Sequence, residues 1–399
     1  MTEATPANTG SRLSGRRLTA AILSTTSGVL PGFLTGALGV QLRSELGFDE
    51  FGLGVAVAAF FLGGAVSSAS MGRVAQHWGA ARSLQTALTV TVACQLAASL
   101  AGSWIVLVAA LFGSGLANGL NQPAANLLLT DGTPASRLGF GMALKQSGMP
   151  SATLLGGIAV PVFALTVGWR WAYLAGAVLA LATIALIGRL DPPTGGRVSR
   201  PDAQLQSSRR TMLTLATAVG CGAFAANGMS SFLVSSAEAS GLAEAAAGLT
   251  LTLGSVFGIT SRLVMGARAD RLTTRPLATV AAMLTLGAVG LAALGIGSTA
   301  ATVLAVPLAF GAGWAWPGLF NLAVVRANPE APAAATGFTQ TGTYLGAVAG
   351  PVAMGLLVEN EGYRAGWAAA AAVALIGATL ASRAARLVVA ETRPAAPNS

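Results

Sequence analysis

LDPPTGGRVSRPDAQLQSSRR, residues 190–210, is the stretch on which the organisation of this chain turns. Its prolines, paired glycines and arginines suit neither a long helix nor hydrocarbon, so it reads as a linker. Outward from it, both flanks consist of apolar runs separated by short polar or turn-rich gaps. Each run is about 20 residues long, the length an α-helix needs to cross a bilayer core. Six predicted spans precede the linker, at 18–42, 50–71, 82–101, 104–129, 138–165 and 171–189. Six follow, at 211–234, 247–267, 276–297, 301–325, 335–358 and 366–387. The expected plan is a tail (1–17), a six-helix bundle (18–189), the linker, a second bundle (211–387) and a tail (388–399). The fold class is thus an all-α membrane protein whose twelve transmembrane helices form two pseudo-symmetric halves.

Composition agrees. Of 399 residues only 9% are charged and 53% are apolar, whereas soluble domains carry about 25% charge. That is too little charge to solvate a globule and too much apolar content for disorder. The formal charge of +9 does not indicate nucleic-acid binding, because the bases are scattered through short gaps with no basic face and no interleaved aromatics. No Walker loop or HExxH occurs, and no glycine grouping follows a strand. One histidine and two cysteines leave no cluster for zinc, haem or a disulfide framework, so no metal and no cofactor is expected. An enzyme would need a convergent nucleophile and base, which are missing. The first run follows Arg12, Arg16 and Arg17 in the manner of a secretory signal, but it is too long and is read as a retained helix.

With the N-terminus inside, 19 bases fall on inner segments against Arg43, Arg170 and Arg364 outside and Lys145 within a helix. That asymmetry predicts cytoplasmic termini in a multi-pass cell-membrane protein. Trp104, Trp169, Trp171 and Trp367 fall at the predicted outer boundaries, where amphipathic rings favour the headgroup region. An internal repeat is also visible. Gly28, Gly47, Gly54 and Gly72 recur 194 positions later as Gly222, Gly241, Gly248 and Gly266, and Gly168-Trp169-Arg170 pairs with Gly362-Tyr363-Arg364. The second half repeats the first in parallel, which suits two bundles facing each other across a central path.

The loops after spans 2 and 8 carry a specific signal. Gly266-Ala267-Arg268-Ala269-Asp270-Arg271 and the degenerate copy Gly72-Arg73-Val74-Ala75-Gln76-His77-Trp78-Gly79, followed by Arg82, resemble the loop motif of the major facilitator superfamily. The resemblance extends over essentially the whole chain. It implies that fold, and it implies a conformational-gating role for Gly72, Gln76, Arg82, Gly266, Asp270 and Arg271, with Asp270 in a charge network that latches the outward-open state. Subfamily marks are mixed. The arginine that drug/proton antiporters place in their fourth helix is replaced by Leu111 and Phe112. Their fifth-helix motif is broken at Gly148-Met149-Pro150 yet reappears as Gly346-Ala347-Val348-Ala349-Gly350-Pro351, where small residues also simply permit close packing.

Polar groups in hydrocarbon are costly and should face the bundle interior. Asn118, Asn121, Gln122 and Asn126 lie at helical spacings on one face of span 4, as a cavity wall or as interhelical glue. Lys145, with Gln146 beside it, is the only lysine. It either snorkels to the interface, binds an anionic substrate or forms a salt bridge, and no acid falls well inside any span. Arg262 is expected to snorkel inward. Trp314, Trp316 and Asn321 in span 10, Gln340 and Tyr344 in span 11, and Asn227 in span 7 complete the candidate substrate-binding set. The expectation is a monomeric transporter that moves a small organic solute, an organic anion or weak acid, through the lipid bilayer by alternating access. Efflux of amphipathic compounds and a non-transporting receptor are the alternatives.

Overall fold

The computed structural model describes residues 15–130, 141–190 except 143, 205–268 and 275–392. The first half comprises α1 (Gly15–Ala37), α2 (Gly39–Leu46), α3 (Glu50–Trp78), α4 (Ala80–Ser99), α5 (Trp104–Thr130), α6 (Gly148–Ala159), which continues as a π-helical turn (Val160–Ala164), and α7 (Arg170–Ile187). The second comprises α8 (Arg209–Ala239), α9 (Glu244–Arg268), α10 (Pro276–Leu294), α11 (Thr299–Gly311), α12 (Pro317–Ala327), α13 (Pro332–Glu361) and α14 (Tyr363–Thr392). Nine helices among the described residues are long and apolar enough to cross a membrane. The twelve spans follow in the order read from the sequence, and most helices run a few residues beyond the apolar limits.

Three spans are interrupted where the pattern predicts single helices, and proline accounts for two of the breaks. Because proline has no N–H, it deletes the bond to the carbonyl four residues back. Pro317 opens α12 after a turn over 312–316, and the Gly313 carbonyl takes the Trp316 indole N–H instead, at 2.9 Å. Pro150 likewise frees the Gln146 carbonyl, where the fifth span turns before α6. Pro161 sits in the π turn, closed by Leu165 N–H on Val160 O at 3.1 Å, a common form of register shift. The first span is divided at Leu38, between α1 and α2.

Helices pack into two bundles. In the first, α5 packs on α3 and α4, and α1 on α6; in the second, α13 and α14 pack on α8. Between them α3 crosses α13, α6 crosses α9, and α1 meets α8. The first two crossings are equivalent under the sequence repeat, and each is tight. A Cβ on Gly54 would meet the Pro351 backbone, and one on Gly248 would lie 2.6 Å from Val160 Cβ and 2.9 Å from Gly157 O. The repeat recurs in the turns, where Gly47 and Gly241, and Gly168 and Gly362, all have positive φ.

The buried apolar residues form a fork. One cluster runs through both bundles in the half of the molecule remote from the linker, from Phe33, Phe60 and Trp169 to Phe232, Phe310 and Trp367. In the half nearer the linker it divides into two, one per bundle: Leu84, Leu88 and Leu128 in the first, and Leu215, Leu284 and Phe320 in the second. The bundles are therefore joined at the far end and separate toward the linker end.

The tryptophans expected in the headgroup belt correct that reading in part. Trp171 is exposed, but Trp169 and Trp367 are buried, with their indoles donating to Glu45 and to Ser236 Oγ (2.8 Å). Fixed partners hold these two rings as far-end anchors.

Candidate functional site

The site is built on α5. Residues 118, 122 and 126 form one i, i+4, i+8 row. Gln122 Nε2 donates to Asn118 Oδ1 at 3.2 Å. Its own Oε1 accepts from Lys145 Nζ at 2.7 Å, and Asn126 Oδ1 accepts from the same ammonium at 3.0 Å. Lys145 is 3% exposed. It neither snorkels nor forms a salt bridge: its two partners are neutral amide oxygens, and both ion pairs seen among the described residues lie at the far end. An ammonium has three donors, so one remains beyond these two. Asn121, on the same face, turns to the other side and donates to Ser24 O of α1 at 2.8 Å, leaving its own Oδ1 buried and unpaired.

Arg262 on α9 does not snorkel. Its Nη1 donates at 2.7 Å to the Gln146 carbonyl freed by Pro150, and its Nη2 at 2.7 Å to the Trp314 carbonyl in the break before α12. One guanidinium thus satisfies two orphaned carbonyls, one in each bundle, while lying 5.6 Å from the centroid of the Trp314 ring. Trp314 itself packs edge-on between Phe33 of α1 and Phe310 of α11. The seam between bundles therefore carries the half-buried Arg262 of the second bundle on the carbonyl of Gln146, the residue that follows buried Lys145 in the first. Thr153 and Ser255 bond across the seam at 2.7 Å, and the Tyr344 ring of α13 lies against Gly64 of α3.

The remaining candidates do not converge on Lys145. Trp316, 2% exposed, lies in the core of the second bundle against Phe320, its ring filling the space beside Gly222. Asn227 donates to Ala223 O of its own helix at 2.8 Å and leaves a buried, unpaired Oδ1. Asn321 is half-buried on α12 and Gln340 exposed on α13. Of the gating set, Gly72 and Gln76 lie at the linker end of α3, and exposed Arg82 stacks 5.5 Å from the Trp78 centroid. Gly266 lies in the last turns of α9. Asp270 and Arg271 fall outside the described residues.

Sequence reading missed Arg262 as a seam residue. The available signal was a base inside an apolar run combined with the carbonyl that Pro150 must free. It also missed the far-end group around Glu50. Glu50, the first residue of α3, does not fall well inside a span, yet it is 9% exposed, covered by α2 and the second bundle.

A two-lobed helical membrane protein with a polar seam between pseudo-equivalent halves is the class that this geometry defines. A family model of the Major Facilitator Superfamily matches residues 18–340 and 215–399. The chain belongs to that superfamily. YwtG of Bacillus subtilis (strain 168), a protein named for metabolite transport, is 27% identical over 194 residues. The match covers 46% of this chain and 42% of YwtG, so less than half of either protein is compared. Among solved structures, a bacterial homolog of the human lysosomal transporter Spinster is similar in its inward-facing, occupied form, with TM-score 0.77 at 15% identity over 95% of this chain and 98% of that one. The inward-facing, unoccupied form gives 0.74 at 13%, over 96% and 100%.

Proposed function

We propose that this transporter carries a small organic anion, or a weak acid in its anionic form, by alternating access in a cell membrane, with the linker end and both termini cytoplasmic. The observation that carries the reading is Lys145, a buried ammonium held by two neutral amides. A charge in this setting is costly unless something compensates it, and an anionic substrate entering from the linker end would do so. Arg262 adds positive potential from the facing lobe. The fork-shaped core supports a cycle in which the far end is closed while the linker end is open, with the lobes rocking about the seam. Both lobes belong to one chain, so a monomer suffices. That YwtG is named for metabolite transport favours a small solute. Export of flat amphipathic compounds has less support, since Trp316 is engaged inside its own bundle and Trp314 is packed between two phenylalanines.

The test is uptake and counterflow of a panel of labelled mono- and dicarboxylates in proteoliposomes. For a transported acid, Lys145→Gln should lower kcat/KM about 10- to 100-fold, the worth of a hydrogen bond to a charged group (~1.5–3 kcal/mol). Neutral solutes should be unaffected. A variant that moves every acid at the wild-type rate would remove the assignment.

A further inference from the structure

At the far end Glu50, 9% exposed, is the first residue of α3 and sits where both lobes meet. Its Oε1 accepts from Arg43 Nη1 of α2 at 2.9 Å and from the Tyr363 hydroxyl of α14. Its backbone N–H donates to Glu359 Oε2 of α13 at 3.0 Å. A Cβ on Gly355 of α13 would meet the Glu50 backbone, so the lobes touch here without clearance. The charged and titratable groups facing Glu50 are Arg43, Tyr363, Glu359 and, from α8, Glu238. Its second oxygen, Oε2, is buried and has no partner. A carboxylate accepts up to about four bonds, so an unpartnered buried oxygen is a place where a proton can sit at little cost in lost bonds.

We infer that Glu50 is a proton-binding site and that protonation there releases the far-end seal. The proton enters on Oε2 and forms its O–H bond; the group becomes neutral, and nothing else is made or broken covalently. Arg43 and Tyr363 then lose the negative charge to which they donate, and charge-assisted bonds are roughly twice as strong as neutral ones. Of the polar links that tie the lobes at this end, the one through Tyr363 weakens directly. The Gln41 Nε2–Glu244 Oε2 bond at 2.8 Å remains. A proton gradient across the membrane would then bias which end opens. This inference rests on the alternating-access reading above but not on the anionic substrate.

Distance measurement by double electron–electron resonance tests it without a substrate. Spin labels at Ser44→Cys and Asn360→Cys, both exposed far-end positions, are placed in full-length protein with Cys94 and Cys221 replaced, in lipid nanodiscs. Lowering the pH from about 8 to about 4, across the carboxylate range, should convert a short distance population into a longer one. Glu50→Gln should show the longer population at every pH. Tyr363→Phe, which removes one donor to the ionised form, should move the transition to higher pH. A wild-type transition preserved unchanged in Glu50→Gln removes Glu50 from the mechanism, as does a distance that is long at all pH values. Should Glu50→Gln fail to fold, an unshifted transition in Tyr363→Phe has the same force. A distance that stays short in every protein and at every pH overturns both this inference and the alternating-access reading.

Discussion

Pro150 creates part of the seam without belonging to it. By lacking an N–H it frees the Gln146 carbonyl, and Arg262 from the other lobe takes that carbonyl up at 2.7 Å. The amide row on α5 was legible, since i, i+4 and i+8 spacing is a property of the sequence alone. Its pairing with Lys145 was not, because it depends on how α5 and the fifth span are set against each other. A prediction belongs at this scale too. Glu45, beyond the first span, bonds Arg170 and the Trp169 indole, and the Arg170 bond holds its carboxyl below the ordinary carboxylate value. A depressed acid stabilises the fold above its unfolded pKa and ceases to do so as the pH falls through the folded one. Thermal unfolding in detergent should therefore show acid destabilisation that sets in as the pH falls through the usual carboxylate value and continues below it. Glu45→Gln should flatten that part of the profile, and only modestly, since the pair is largely exposed.

Among elements, α13 shows why glycine density says little until the partner is known. A Cβ on Gly350 would lie 3.0 Å from the Phe224 Cα, and one on Gly346 2.8 Å from the Gly220 carbonyl carbon, so α13 lies directly on the backbone of α8. Gly337, in the same helix, has nothing within 4 Å. Gly346→Leu should abolish recovery of monodisperse protein. Gly337→Ala should be neutral or raise the thermal midpoint, since alanine favours helix by about 1 kcal/mol; size-exclusion chromatography and thermal unfolding check both. The Gly346-x-x-x-Gly350-Pro351 motif therefore has a sufficient packing role. Existence and order of the spans were readable from apolar run length. Their internal breaks were harder, because proline marks where a bond is lost but not whether the helix bends, shifts register or stops. Pro123 leaves α5 continuous, whereas Pro317 starts a new helix.

Across the whole molecule, the two repeat-related crossings, Gly54 on Pro351 and Gly248 on Gly157 and Val160, fix how closely the lobes approach. Neither helix can retreat without parting from its own bundle. Gly54→Ala and Gly248→Ala should therefore act alike, each lowering transport and the thermal midpoint. Unequal effects would show that the halves bear unequally on the pivot. The two-lobed plan was legible through the repeat itself. Which end is joined was not, because near-identical halves pack equally well in either tilt and the choice lies in a few far-end side chains.

Burial of the sole lysine reaches beyond solute recognition. With its lone ε-amine enclosed, the folded protein presents arginine as the long-chain base on its described surfaces. Guanidinium groups grip lipid phosphates two-pronged where ammonium groups make point contacts. Acylating reagents, isopeptide-forming tags and Schiff-base chemistry that seek a side-chain amine must all first reach one that is 3% exposed.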